Sequence, residues 1–324
     1  MSQMVILSTG LMMQSMVDAM ESGFEVRWLN RIDDKDAFLR ANGAHIAGLC
    51  TGAHTGVKTD KALLDRLPNL KIIGNYGVGY DSIDVAETAR RGIVITNTPD
   101  VLNEEVADTA IGLLIMTVRE FSQAEKWLRA GQWAATAFDY PFTASLRDRK
   151  VGLIGYGRIG KAIGRRLEAF GVPMCYFGRR KQPDVELPFY SDLVAMARDV
   201  DTLIAILPGG PATEKLIDAK VFKALGPRGI FINMARGSVV DEPALKVALR
   251  SKTILAAGLD VFWNEPNIDQ DLLTIENLTP LPHVGSGSIW TRNKMGQLVV
   301  DNLAAYRDGK PPLTPVAETP FKGW

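Results

Sequence analysis

The sequence predicts an α/β protein built as two doubly wound parallel sheets with a cleft between them. Three observations carry that expectation. Short apolar runs alternate with helix-patterned segments through the first third of the chain. A second series of the same kind begins at Lys150. That series opens on a strand, the turn Gly155-Tyr156-Gly157-Arg158-Ile159-Gly160, and a helix. Alternation at this spacing builds a parallel sheet covered on both faces. A length of 324 residues suits about two such domains.

In the first series, apolar runs at 4–7, 24–29, 45–49, 70–74 and 93–96 read as strands. Helices are expected near 11–21, 33–41, 58–67 and 82–91. From Pro99 the pattern changes. Asn103-Glu104-Glu105 opens one long helix reaching about Ala130, its acidic residues suiting a helix N-terminus. Residues 131–148 read as a loop carrying Trp133, Phe138, Tyr140, Pro141 and Phe142. So long and aromatic a loop packs either on a partner subunit or back on its own domain. The second series places strands at 151–154, 174–177, 202–207, 229–233, 256–259 and 278–281. Asp241 and Glu242 cap a helix over 242–250. A last helix spans 289–307, and a Pro-rich tail follows. Packing of that helix on the first domain divides the chain into 1–98 plus 289–324 and 99–288, with substrate in the cleft.

The glycine-rich turn has the strand before it and the helix after it that a dinucleotide fingerprint requires. Gly155 permits the tight turn, Gly157 lets the backbone approach a pyrophosphate, and Gly160 lets helix and strand pack closely. The pyrophosphate would rest on the helix N-terminus, over Arg158 and Ile159. Pro208, Ala235, Asp260 and Gly285 are further expected cofactor contacts. An NAD site usually places an acid at the end of the second strand, to hold the ribose 2′-OH. Here that place is Gly178-Arg179-Arg180-Lys181. Two guanidiniums suit a 2′-phosphate, so NADP(H) is expected over NAD(H).

Three later strand ends each deliver one chemical group: Arg236, Glu265 and His283. Ligands of open parallel sheets bind beyond the carboxyl ends of the strands, so the three can meet at the cofactor's edge. They fit hydride transfer to a 2-oxo acid. Arg236 would hold the carboxylate and polarise the ketone. An imidazole titrates near operating pH, which makes His283 the proton donor. Glu265 would orient that ring. Gly77-Val78-Gly79 follows a strand and can offer backbone N–H groups as an anion nest.

Composition narrows the remaining classes. Hydrophobic residues make up 46% and charged residues 23%, as in ordinary globular proteins. The 37 basic and 37 acidic residues balance, which argues against a general attraction to nucleic acid or an anionic membrane. Cys50 and Cys175 sit in apolar runs and read as free thiols in a reducing, cytoplasmic compartment. The N-terminus lacks the pattern of a signal peptide, and no apolar run is long enough to span a membrane. Three histidines without Cys/His spacing make a metal site improbable.

With these residues in view, the chain resembles the D-isomer-specific 2-hydroxyacid dehydrogenases over nearly its full length. The matching segments are Asn75-Tyr76-Gly77-Val78-Gly79-Tyr80-Asp81-Ser82-Ile83-Asp84, Thr98-Pro99-Asp100-Val101 through Val106-Ala107-Asp108-Thr109-Ala110, Gly155 to Gly160, Asn233-Met234-Ala235-Arg236-Gly237, Gly258-Leu259-Asp260-Val261 with Glu265-Pro266, and Pro282-His283-Val284-Gly285-Ser286. The resemblance implies two Rossmann-like domains and a homodimer built on the nucleotide domain. It implies Arg236, Glu265 and His283 as the catalytic set, Val78 and Gly79 as the carboxylate loop, and Asp260 beside the nicotinamide. The Gly178-Arg179-Arg180 turn resembles the NADP(H)-preferring glyoxylate/hydroxypyruvate reductase branch. Trp290 stands where many members carry an acid; its indole would close over a substrate side chain or pack on the other domain. The expected reaction is NADPH-dependent reduction of glyoxylate or hydroxypyruvate to the D-hydroxy acid. A bulkier 2-ketoaldonate or arylpyruvate, and a non-catalytic nucleotide-sensing protein, stand as alternatives.

Overall fold

A computed structural model describes residues 4–10, 12–52, 55–136 and 139–323. Phe138 of the aromatic segment, and the expected helix start at 11, lie outside them. The chain divides into two units: Met1–Leu102 with Ser288–Trp324, and Asn103–Gly287. The first break falls at Leu102 rather than at 98. Thr98 donates its N–H to Gly77 O at 3.0 Å, which ties this stretch to the first unit.

The first unit alternates β1 (Val5–Ser8), α1 (Gln14–Gly23), β2 (Glu25–Trp28), α2 (Lys35–Asn42), β3 (Gly48–Thr51), α3 (Lys61–Asp65), β4 (Ile72–Asn75), α4 (Val85–Arg90) and β5 (Val94–Thr96). The strands form one parallel sheet in the order β2-β1-β3-β4-β5, a doubly wound arrangement. Strands β3 and β4 are buried along their whole length, as parallel strands covered on both faces must be. One side packs Leu7, Ile46, Leu49, Leu64, Ile73 and Ile95 into a continuous apolar cluster. Asp34, Asp60 and Asp84 accept backbone N–H bonds as N-caps of α2, α3 and α4.

The second unit starts with α5 (Asn103–Val118), α6 (Phe121–Arg129) and α7 (Gln132–Thr136). The expected single helix to Ala130 is therefore broken. Glu120 takes a left-handed conformation, φ 52°, between α5 and α6, and its carboxylate accepts from Tyr140 Oη at 3.0 Å. There follow β6 (Val151–Ile154), α8 (Arg158–Ala169), β7 (Met174–Phe177), β8 (Phe189–Tyr190), α9 (Leu193–Asp199), β9 (Thr202–Ala205), α10 (Ala219–Leu225), β10 (Ile230–Asn233), α11 (Glu242–Arg250), β11 (Ala256–Leu259) and β12 (Leu278–Pro280). They pair in parallel in the order β12-β11-β10-β9-β6-β7-β8. Counted from β6, this is the Rossmann order with one further strand, and its topological switch lies between β6 and β9. The two-residue β8 was not expected.

The last helix, α12 (Ile289–Arg307), belongs to the first unit, with Ser288 as its cap. The tail after it returns along β5. Thr96 bridges Pro315, and Ile95 N–H donates to Thr319 Oγ1 at 2.9 Å. Among the described residues, no helix is long and apolar enough to cross a membrane.

Candidate active site

The fingerprint turn lies at the switch between β6 and β9. Gly155 has φ +98°, and a Cβ there would lie 2.6 Å from Ile206 O, on the neighbouring strand's exit. A Cβ on Gly160 would lie 2.5 Å from Gly155 O. Both positions are closed to any side chain. Gly157 differs: a Cβ there meets nothing within 4 Å. It is also the N-cap of α8 and supplies no side-chain acceptor to the first turn. Open space above a helix N-terminus lacking a capping side chain fits a pyrophosphate. Pro208 is exposed beside this turn, just past β9, and its carbonyl accepts from Thr213 Oγ1 at 2.8 Å.

At the end of β7, Gln182 ties the basic turn to the fingerprint. Its side chain donates to Tyr156 O at 2.7 Å, and its N–H donates to Tyr176 Oη at 2.8 Å. Arg179 and Arg180 are exposed just before it. Neither makes an ion pair or hydrogen bond with another described residue.

Past β10, Asn233 shapes the next turn. Its Oδ1 accepts from Ala235 N–H, and its Nδ2 donates to Arg236 O, both at 3.0 Å. Arg236 is half-buried, and its Nη1 donates to Ala235 O at 2.7 Å. A Cβ on Gly209 would lie 3.0 Å from Arg236 Cγ, so the turn after β9 packs directly on this arginine.

The exits of β11 and β12 meet. His283 Nδ1 and Glu265 Oε2 are 2.6 Å apart, and the other carboxylate oxygen accepts from Phe262 N–H at 2.8 Å. Partial burial alone would raise the Glu265 carboxyl. The hydrogen bond and charge of His283, the Phe262 N–H and the Arg236 charge outweigh it and hold the group below its ordinary value. The influence of Arg236 places all three expected catalytic groups in one electrostatic neighbourhood.

His283 has φ 53°, a left-handed conformation costly for a residue with a side chain. Asp260 holds that backbone in place. Its carbonyl accepts from His283 N–H at 2.9 Å, and its carboxylate accepts from Val284 N–H at 2.7 Å and Gly285 N–H at 2.8 Å. Asp260 is 2% exposed. Burial pushes its carboxyl above the ordinary value, against the pull of those two N–H bonds. A Cβ on Gly285 would lie 2.9 Å from Asp260 Oδ2, so the clamp needs glycine there. Thr109 of α5 donates to Gly285 O at 3.2 Å and fixes the far side.

In the first unit, the turn after β4 presents the backbone N–H groups of Val78 and Gly79. Neither bonds to another described residue. Trp290, in the first turn of α12, is 67% exposed, with Lys294 Nζ 5.9 Å from its ring centroid. Among the described residues, no cluster of His, Cys, Asp or Glu has the makings of a metal site.

Residues 111–285 match the family model of the D-isomer specific 2-hydroxyacid dehydrogenase, NAD binding domain. This chain belongs to the D-isomer-specific 2-hydroxyacid dehydrogenases. The dehydrogenase is similar to a solved NADPH-dependent glyoxylate/hydroxypyruvate reductase from Sinorhizobium meliloti, in complex with NADP and malonate. The two share 49% identity, with TM-score 0.93, over 99% of this chain and 98% of that one. A 2-ketogluconate reductase of Gluconobacter oxydans is 43% identical over 84% of this chain and 86% of its own length. A hydroxyphenylpyruvate reductase of Plectranthus scutellarioides is 42% identical over 86% of this chain and 88% of its own length. The dehydrogenase is thus an oxidoreductase of 2-oxo and 2-hydroxy acids with a nicotinamide-dinucleotide-binding domain.

Sequence reasoning found the charged groups and missed their supports. Asn233 appeared only as one letter of a motif, and Thr109 likewise. A usable signal existed for the first: an asparagine as the last residue of a strand, just before a turn that carries chemistry.

Proposed function

We propose that this dehydrogenase reduces a small 2-oxo acid, glyoxylate or hydroxypyruvate, to the D-2-hydroxy acid with NADPH. The observation that carries the reading is the 2.6 Å contact between His283 Nδ1 and Glu265 Oε2. With Nδ1 held by the carboxylate, Nε2 is the ring atom that gives the proton to the developing alkoxide. Glu265, kept ionised by its surroundings, fixes the ring's orientation. Arg236 polarises the carbonyl that the proton reaches. The N–H groups of Val78 and Gly79 bind the substrate carboxylate. The chemistry supplied by bound nicotinamide is hydride donation to C2.

Arg179 and Arg180 support NADPH over NADH. They are exposed guanidiniums at the place where an acid would otherwise hold the ribose hydroxyl. The similar reductase solved with NADP points the same way. A second reading, reduction of a 2-ketoaldonate or arylpyruvate, draws on the relatives named for those substrates and on the exposed Trp290.

His283→Ala tests the mechanism. Turnover is expected to fall by roughly 10²- to 10⁴-fold, while NADPH fluorescence titration still shows binding. Full turnover in this variant removes His283 as the proton donor.

A further inference from the structure

We propose that Asn75 and Asn97 are positioning residues for the substrate carboxylate, acting by holding the backbone of residues 78–80 as an open nest. The inference rests on the reading that Val78 and Gly79 bind that carboxylate. Asn75 ends β4 and is wholly buried. Its Nδ2 donates to Gly77 O at 2.9 Å and to Gly79 O at 3.0 Å. Asn97 Nδ2 donates to Val78 O at 2.9 Å. Three consecutive carbonyls are therefore tied down by two side chains.

The consequence follows from the planar trans peptide. The C=O of one residue and the N–H of the next belong to one rigid unit and point in opposite directions. Fixing the carbonyls of 77, 78 and 79 turns the N–H groups of Val78, Gly79 and Tyr80 away from the two amides. None of these three N–H groups bonds to another described residue. Such adjacent, unpaired N–H groups attract an anion.

Asn75 Oδ1 is buried without a hydrogen-bond partner among the described residues. An unpaired buried acceptor is costly, so this amide is kept for its two donors. Asn97 is locked in turn by the tail. Thr314 Oγ1 donates to Asn97 O at 2.7 Å. Thr314 exchanges two bonds of 2.9 Å with Asn302, which is fully buried on α12. A polar chain thus runs from α12 through the tail to the nest.

Steady-state kinetics of Asn97→Ala and Asn75→Ala test the proposal. The KM for glyoxylate should rise by roughly tenfold to a hundredfold, as misplaced binding groups do. Here kcat falls less than KM rises, and the KM for NADPH stays at the wild-type value. Thr314→Val should shift the glyoxylate KM in the same direction by less. Asn97 is partly exposed, so its variant remains informative if Asn75→Ala does not fold. Calorimetric titration with oxalate reads the nest without turnover. Weaker oxalate binding in both variants upholds the proposal. Oxalate binding equal to wild type, no binding by wild type, or an equal rise in both Michaelis constants overturns it. Failure of the wild type to reduce any 2-oxo acid counts instead against the reductase reading.

Discussion

The pair formed by His283 and Glu265 sets two expectations at the residue scale. Glu265 is held below the ordinary carboxylate value, so it binds fewer protons in the folded chain than in the unfolded one. Its contribution to stability is present above the unfolded value, about 4.3, and is lost as pH falls through the lower folded value. The difference in Tm between wild type and Glu265→Gln should therefore hold steady from neutral pH down to the ordinary carboxylate range. It should shrink only below that, as thermal melts across pH would read. A difference that shrinks already at neutral pH contradicts the assignment. The second expectation concerns the basic turn. Charge-assisted bonds are worth about 1.5–3 kcal/mol each. Replacing Arg179 and Arg180 with glutamine should raise the KM for NADPH by roughly 10- to 100-fold or more, with little change for NADH. Equal effects on the two cofactors exclude a phosphate clamp.

Among elements, the fingerprint helix separates two roles for glycine. Gly155 lies at positive φ with Ile206 O in the way of a Cβ. Gly155→Ala should cost more than about 1 kcal/mol of stability, visible as a lower Tm. Gly157 has open space in place of such a neighbour. Gly157→Ala should keep the wild-type Tm and raise the KM for NADPH, because its methyl occupies the approach to the helix N-terminus. A lower Tm in Gly157→Ala would contradict that. The same elements show what was legible in advance. Apolar four-residue runs located the buried strands, since a parallel strand covered on both faces has no alternation to hide it. The break at Glu120 was not legible. No glycine or proline marks it, and the Tyr140 hydroxyl that Glu120 meets lies twenty residues on. Strand β8 is two residues of edge pairing with no periodicity to read. In the candidate site, Arg236, Glu265 and His283 were legible as candidates because their side chains are of the kinds the proposed chemistry needs. Asn75, Asn97 and the clamping role of Asp260 were not, because they act on backbone groups whose partners appear only after folding.

For the molecule as a whole, two parallel sheets of different order carry different candidate groups. The nucleotide-binding unit carries the expected cofactor contacts and the proposed catalytic residues, and the other unit carries the proposed anion nest. The nucleotide-binding unit also exposes Phe121, Leu128, Trp133 and Phe142 along one stretch of chain. Apolar side chains so exposed would suit an association surface, and a homodimer is the expectation to be tested. Light scattering should give a dimer for wild type and a smaller species for Trp133→Glu combined with Phe142→Glu; a monomeric wild type contradicts this. The central claim is the reaction itself. It is tested most directly by kcat/KM for glyoxylate, hydroxypyruvate, 2-ketogluconate and phenylpyruvate, each with NADPH and with NADH. The account predicts the highest values for glyoxylate or hydroxypyruvate with NADPH. Preference for NADH, or for 2-ketogluconate or phenylpyruvate over both small acids, would contradict it.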